Sequence, residues 1–260
     1  MSTALESHLR GVRSAGRKAL VLFMTGGFPT PDLFCDYVTA AVDGGADVME
    51  VGLPFSDPVI DGPTVQLANQ VALGHGITPV AALDAAFAAD IPVPVVPMTY
   101  ANLVFRMGIE RFAVALHERG FAGAIVPDLP LEESSEWEAA AFERGLAAVM
   151  LAAPSTPDDR LAEICRRSTG FVYAQSLMGV TGVRDALATS ATEIGARVRA
   201  CTDRPVIVGI GISTPEQAAA ASKHADGVVV ASAVLRRILD GATPSEITAF
   251  CRLLRRALDQ

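Results

Sequence analysis

Lysine is almost missing from this chain of 260 residues: Lys18 and Lys223 are the only two. Lys18 precedes the first apolar run and Lys223 sits on a late helix. Neither reaches a strand end, which excludes Schiff-base chemistry. Histidine is scarce too. His8, His75, His117 and His224 all fall on predicted helices or turns. The four cysteines (Cys35, Cys165, Cys201, Cys251) contain no C-x-x-C pair, and no H-x-E occurs, so no metal site is expected. Scattered cysteines of this kind read as buried free thiols in a reducing compartment. There is no G-x-S-x-G elbow for a serine nucleophile. No basic cluster relieves the net charge of −8, which argues against nucleic acid or an anionic membrane as partner. No apolar run approaches the ~18 residues of a membrane span, and Ala19 to Met24 is too short for a signal peptide. A cytoplasmic location is expected. The single tryptophan, Trp137, lies on a predicted helix and reads as packing.

What is present is an alternation. An amphipathic helix over 2–16 leads into apolar runs at Ala19–Thr25, Val48–Leu53, Val93–Tyr100, Ala122–Asp128, Ala147–Pro154, Gly170–Ser176, Pro205–Gly211 and Gly227–Ala231. Each is followed by a helical stretch. Thr30-Pro31-Asp32 opens one with proline at the first helical position, and Gly44-Gly45 stops it. The stretch 64–89 is helical with a break near Gly74–Gly76, and Ser213-Thr214-Pro215-Glu216 reads as a capping box. Nearly continuous apolar strands suit a parallel sheet buried on both faces. Eight such units predict an α/β fold: a (β/α)8 TIM barrel with an extra N-terminal helix, as one domain over residues 1–260. A doubly wound sheet is the alternative, but Gly26-Gly27 is not the glycine fingerprint it needs.

In such barrels the chemistry sits at the carboxyl ends of the strands. Glu50 lies inside an apolar strand, where a charge is costly to keep. Asp61 lies eleven positions on, in the loop that leaves that strand. A loop folding back would set the two carboxyls about one small molecule, in the unequal environments that acid–base work needs. A buried structural role for Glu50, and plain turn roles for Asp61 and Asp57, remain open. Tyr100 and Tyr173 are as compatible with capping the core as with touching a substrate, and Asp128 with holding a loop. Gly209-Ile210-Gly211-Ile212-Ser213 after the seventh strand and Ala231-Ser232-Ala233 after the eighth form the glycine-loop and helix-start pair that binds phosphate in barrels. With no lysine or metal at hand, breaking a carbon–carbon bond here requires the substrate itself to accept the electrons.

The segment Met49-Glu50-Val51-Gly52-Leu53-Pro54-Phe55-Ser56-Asp57-Pro58-Val59-Ile60-Asp61-Gly62 resembles the signature of the tryptophan synthase alpha subunit family. Met98-Thr99-Tyr100-Ala101-Asn102, Val126-Pro127-Asp128-Leu129-Pro130, the Gly179-Val180-Thr181-Gly182 turn and Gly209 to Ser213 extend the likeness along the whole chain. The resemblance implies cleavage of indole-3-glycerol phosphate to indole and glyceraldehyde 3-phosphate. It assigns Glu50 as the proton shuttle and Asp61 as the partner of the indole N–H. Tyr173 would sit beside Glu50, and Phe23 and Tyr100 would wall the indole. Gly182, Gly211 and Ser232 would hold the phosphate, and Thr181 would meet Asp57 as a lid closes. It also implies a beta subunit in an αββα tetramer, with pyridoxal phosphate in that partner and no cofactor in this chain. Two variants on the theme remain: a free-standing lyase that releases indole, and a catalytically silent regulatory paralogue. Ala231 stands where the family usually has glycine, which would narrow the phosphate loop.

Overall fold

The computed structural model describes residues 2–175, 184–209 and 211–260, and it leaves the side chains of 184–191 undescribed. Its strands are β1 (Ala19–Thr25), β2 (Val48–Gly52), β3 (Val95–Met98), β4 (Gly123–Ile125), β5 (Ala147–Ala152), β6 (Val172–Gln175), β7 (Val206–Gly209) and β8 (Gly227–Val230). All pair in parallel in chain order, and β8 returns to β1 to close the barrel. The expected (β/α)8 architecture is therefore the one observed. Closure buries the strands on both faces, which is why their sequences are apolar throughout rather than alternating.

The helices are α1 (Ala4–Ser14), α2 (Pro31–Asp43), α3 (Pro63–Gly74), α4 (Pro79–Ala88), α5 (Ala101–Met107), α6 (Ile109–Glu118), α7 (Ser135–Glu143), α8 (Asp158–Arg167), α9 (Arg184–Cys201), α10 (Pro215–Ala221), α11 (Ser232–Leu239) and α12 (Pro244–Leu258). A 3₁₀ turn, Ser222–His224, joins α10 to β8. Threonine side chains cap α1, α2, α4, α10 and α12 at their first free N–H groups. The break expected near Gly74–Gly76 is the α3–α4 junction, where Gly76 has φ +77° and Thr78 starts the next helix. No single helix among the described residues is long and apolar enough to cross a membrane.

Three expectations shift. Tyr100 does not end β3 but is the N-cap of α5, a helix too short to show a hydrophobic period in the sequence. The first N–H of α5, at Ala101, donates to Asp128 Oδ1 at 2.8 Å, so Asp128 anchors a helix start from the neighbouring loop. At α10 the cap is Thr214, bonded to the Gln217 N–H, while the Gln217 side chain accepts from the Ser213 N–H. The complete capping box is at α12, between Thr243 and Glu246.

The amino-terminal rim is closed by α1, whose Leu5 and Leu9 are fully buried. A β-carbon on Gly170, just ahead of β6, would lie 2.8 Å from Leu5, which shows how closely this helix plugs the barrel. Two aspartates tie the same rim. Asp47, ahead of β2, accepts the Leu20 N–H and an Arg255 N–H, both at 2.8 Å. Asp226, ahead of β8, accepts the Val206 N–H at 2.8 Å and pairs with Arg199.

Candidate active site

The register of the barrel places Phe23 beside Glu50 and Glu50 beside Val96. Glu50 is 1% exposed, and its Oε2 makes no hydrogen bond. Burial, reinforced by repulsion from Asp61, pushes its carboxyl up to about 8. A carboxyl in this setting holds its proton at neutral pH.

Asp61 sits above, in the loop between β2 and α3. Its Oδ2 accepts from the Tyr100 hydroxyl at 3.1 Å, and the Tyr100 oxygen in turn accepts the Ile60 N–H at 3.2 Å. Gln66 fixes the same turn by donating to the Asp61 carbonyl at 2.8 Å. Burial pushes Asp61 up to about 6, against hydrogen bonds from Tyr100 and Asn69 that favour its anion. The two carboxyls thus differ in the direction that matters: near neutrality one is largely protonated and the other largely ionised.

Asn69 was not anticipated. It is buried on α3 beside Val65, Ala68 and Ala72, and the Thr25 hydroxyl donates to its Oδ1 at 3.4 Å. That leaves its amide N–H free to serve Asp61. An asparagine in the apolar stripe of a helix was the available signal, because a buried amide needs partners.

Two aromatic rings lie across glycines on adjacent strands. A β-carbon on Gly52 would stand 2.4 Å from the Phe23 ring, and one on Gly209 would stand 2.2 Å from the Tyr173 hydroxyl. Each ring occupies the space of a missing side chain two positions further along the neighbouring strand. Burial first, then the charges of Glu50 and Asp61, raise the Tyr173 hydroxyl well above its usual range, so it stays a neutral donor facing both acids.

These elements enclose a cavity of about 130 Å³. Asp61, Met98, Leu151, Tyr173, Gly211, Ile212, Ala231 and Ser232 are among the residues that line it. Glu50 and Phe23 are not among its lining residues; they are buried on β2 and β1, in the barrel wall. Gly211 has φ +39° and open space where a side chain would be. Ser232 opens α11, and no side chain caps that helix, unlike the threonine-capped helices above. Its first-turn N–H groups are therefore available to an anion. Ala231 has φ −116°, ψ −77°, so the backbone there makes no demand for glycine. A larger cavity of about 310 Å³ between β4, β5, α7 and α8 shares the Leu151 wall but contains neither raised carboxyl.

Asp57 is exposed on the β2–α3 loop, where Ser56 donates to its carboxylate at 2.5 Å. Its expected lid partner Thr181, the phosphate contact Gly182 and the surrounding Gly179–Gly182 turn lie outside the described residues. Trp137 packs on Phe112 with ring centroids 5.4 Å apart, the structural role expected of it.

Fold and site together define a class: a (β/α)8 barrel with two raised carboxyls and an uncapped helix start at its carboxyl-end rim. The family described as tryptophan synthase alpha chain matches residues 9–255. The tryptophan synthase alpha chain of Streptomyces coelicolor is 48% identical over 238 residues, covering 91% of this chain and 88% of the relative. That of Methanosarcina mazei is 44% identical over 236 residues, covering 90% and 86%. A solved Mycobacterium tuberculosis tryptophan synthase chain superposes with a TM-score of 0.90 at 37% identity, over all of both chains. The alpha subunit from Legionella pneumophila gives 0.90 at 30% identity, covering 100% of this chain and 99% of that one. The chain belongs to the tryptophan synthase alpha chain family.

Proposed function

We propose that this chain is the carbon–carbon lyase of tryptophan biosynthesis, cleaving indole-3-glycerol phosphate to indole and glyceraldehyde 3-phosphate. The observation that carries the reading is the pair of carboxyls with unequal environments, Glu50 at about 8 and Asp61 at about 6, with Asp61 lining the same cavity as an uncapped helix start. Gly211 and Ser232 take the phosphate through backbone N–H groups, and Phe23 and Tyr100 flank the ring. Protonated Glu50 delivers its proton to indole C3, and the ring becomes an iminium. Ionised Asp61 holds the N–H of that iminium. Glu50, now a carboxylate, removes the proton of the adjacent glycerol hydroxyl. The C–C bond breaks as its electron pair flows into the iminium, releasing indole and an aldehyde. Tyr173, a neutral donor, steadies Glu50 while it is charged.

The chain acts as one barrel domain, in the cytoplasm, with a beta subunit in an αββα tetramer. Pyridoxal phosphate belongs to that partner's site, and this chain's chemistry uses no cofactor. Val59 (82% exposed), on the loop after β2, and Phe105 (50%), on α5 after β3, crown the same rim, and such exposed apolar side chains beside a site suit a partner surface.

Indole release from indole-3-glycerol phosphate, measured with and without a beta subunit, tests the reading. Turnover that depends on the partner supports it. Fast turnover of the isolated chain favours a free-standing lyase, and silence under both conditions favours a regulatory paralogue. Glu50→Gln is expected to abolish cleavage while phosphate-ligand binding persists. Equal activity in that variant removes Glu50 from the mechanism.

A further inference from the structure

The amino-terminal rim holds a second concave site, with a different chemistry. Lys18 ahead of β1, Arg199 on α9, and Lys223 and His224 on the 3₁₀ turn line one cleft of about 400 Å³, together with Ala196, Ala200 and Ala225. The chain carries a net charge of −8, yet its only two lysines meet here. No carboxylate is among the described lining residues. Lys18 is steered into place by donating to the Ala225 carbonyl at 2.7 Å, while Lys223 and His224 are exposed. Arg199 pairs with Asp226 through Nη2, but its Nη1 is buried and makes no hydrogen bond.

Asp226 lies beneath the cleft, 4% exposed, and is shared between Arg199 and, at 3.8 Å, Arg13. It therefore offsets Arg199 and leaves both ammonium groups uncompensated, even with His224 neutral. The carboxyl end of α9, at Cys201, is close by, and its dipole draws cations with the strength of about half an elementary charge. That is too little to account for Lys18 and Lys223 together. Two ammonium groups and a guanidinium on a wall whose described lining holds no carboxylate are a donor set without its acceptor. The cleft also falls within the roughly 300–1,000 Å³ of small-molecule sites.

We propose that this cleft binds a small phosphorylated anion of two or more negative charges, at the rim opposite the catalytic cavity. The ammonium groups supply charge and N–H donors, and the Arg199 guanidinium, held in place by Asp226, adds positive charge to the same wall. The proposal is independent of the lyase reading, because none of its residues enters that site.

Pyrophosphate titrated into the full chain tests it, followed by amide NMR and by calorimetry. The amides of residues 222–226 should shift. Those of 211–212 and 232–233, at the catalytic cradle, serve as a separate report. Lys223→Gln should weaken binding at the rim by about tenfold, as expected for one lost charge contact. Lys223→Arg should restore most of it, and indole release should be unchanged in both. Three results would overturn the proposal: shifts confined to the catalytic cradle, a rim affinity indifferent to Lys223→Gln, or preference for a single-stranded oligonucleotide over pyrophosphate.

Discussion

Asp47 and Glu50 are three residues apart on either side of the start of β2, and they are 7% and 1% exposed. Asp47, at the amino-end rim, accepts N–H groups from Leu20 and Arg255 and pairs with Arg17 at 3.2 Å. Glu50, inside the barrel wall, leaves one oxygen with no partner and has Asp61 rather than an arginine for company. Burial alone does not decide what a carboxyl does. Where cations and N–H groups meet it, the carboxylate is a fastener. Where apolar walls and a second acid surround it, it becomes a proton reservoir at neutral pH.

The largest effect should come from breaking a fastener. Asp47→Ala leaves the Leu20 N–H and a buried edge of Arg255 unpaired and should cost about 3–5 kcal/mol, read from urea unfolding. Indole release per folded molecule should stay unchanged, since the lesion is at the far rim.

The opposite sign is expected at Glu50. Its folded value is raised, so the native state holds a proton that the unfolded chain has released. Stability therefore falls as pH rises from the ordinary carboxyl range towards about 8, then levels. Glu50→Gln removes this dependence. The variant should be more stable than the parent at alkaline pH by on the order of 2–4 kcal/mol, with the difference vanishing near the ordinary carboxyl range. Urea midpoints measured across that span check the sign.

A smaller effect sharpens the contrast within the site. The rate of indole release should be bell-shaped, falling below about 6 as Asp61 takes a proton and above about 8 as Glu50 loses one. Asn69→Ala removes a hydrogen bond that favours the Asp61 anion. Its acid limb should move to higher pH by about one unit, with the rate at neutrality down by about twofold. An unmoved acid limb would relieve Asn69 of that role. Smallest of all, Arg166→Ala on α8 deletes an exposed pair with Glu163 and should leave the unfolding midpoint where it was.

Much of this was legible in the chain. Eight apolar runs separated by helical patterns specify a parallel sheet covered on both faces, and eight units without a dinucleotide glycine fingerprint favour its closing into a barrel. Glu50 stood out because a carboxylate in an apolar strand conflicts with its surroundings. The glycine loop and helix start after β7 and β8 were readable because backbone N–H groups need little from side chains. The helix Ala101–Met107 and the exchange of its first N–H with Asp128 were not legible, because seven residues hold no periodic signal and the partner lies 27 positions away.

The sequence by itself carried the order of strands, the kind of chemistry open to them and the two acids proposed for it. Those follow from local pattern and from which side chains the chain contains. Only the tertiary structure decided that Asn69 reaches Asp61, that Phe23 and Tyr173 lie over Gly52 and Gly209, and that Asp47 is tied down while Glu50 is not. Each depends on which groups closure of the barrel brings within hydrogen-bonding or van der Waals reach, and distance along the chain carries no record of that.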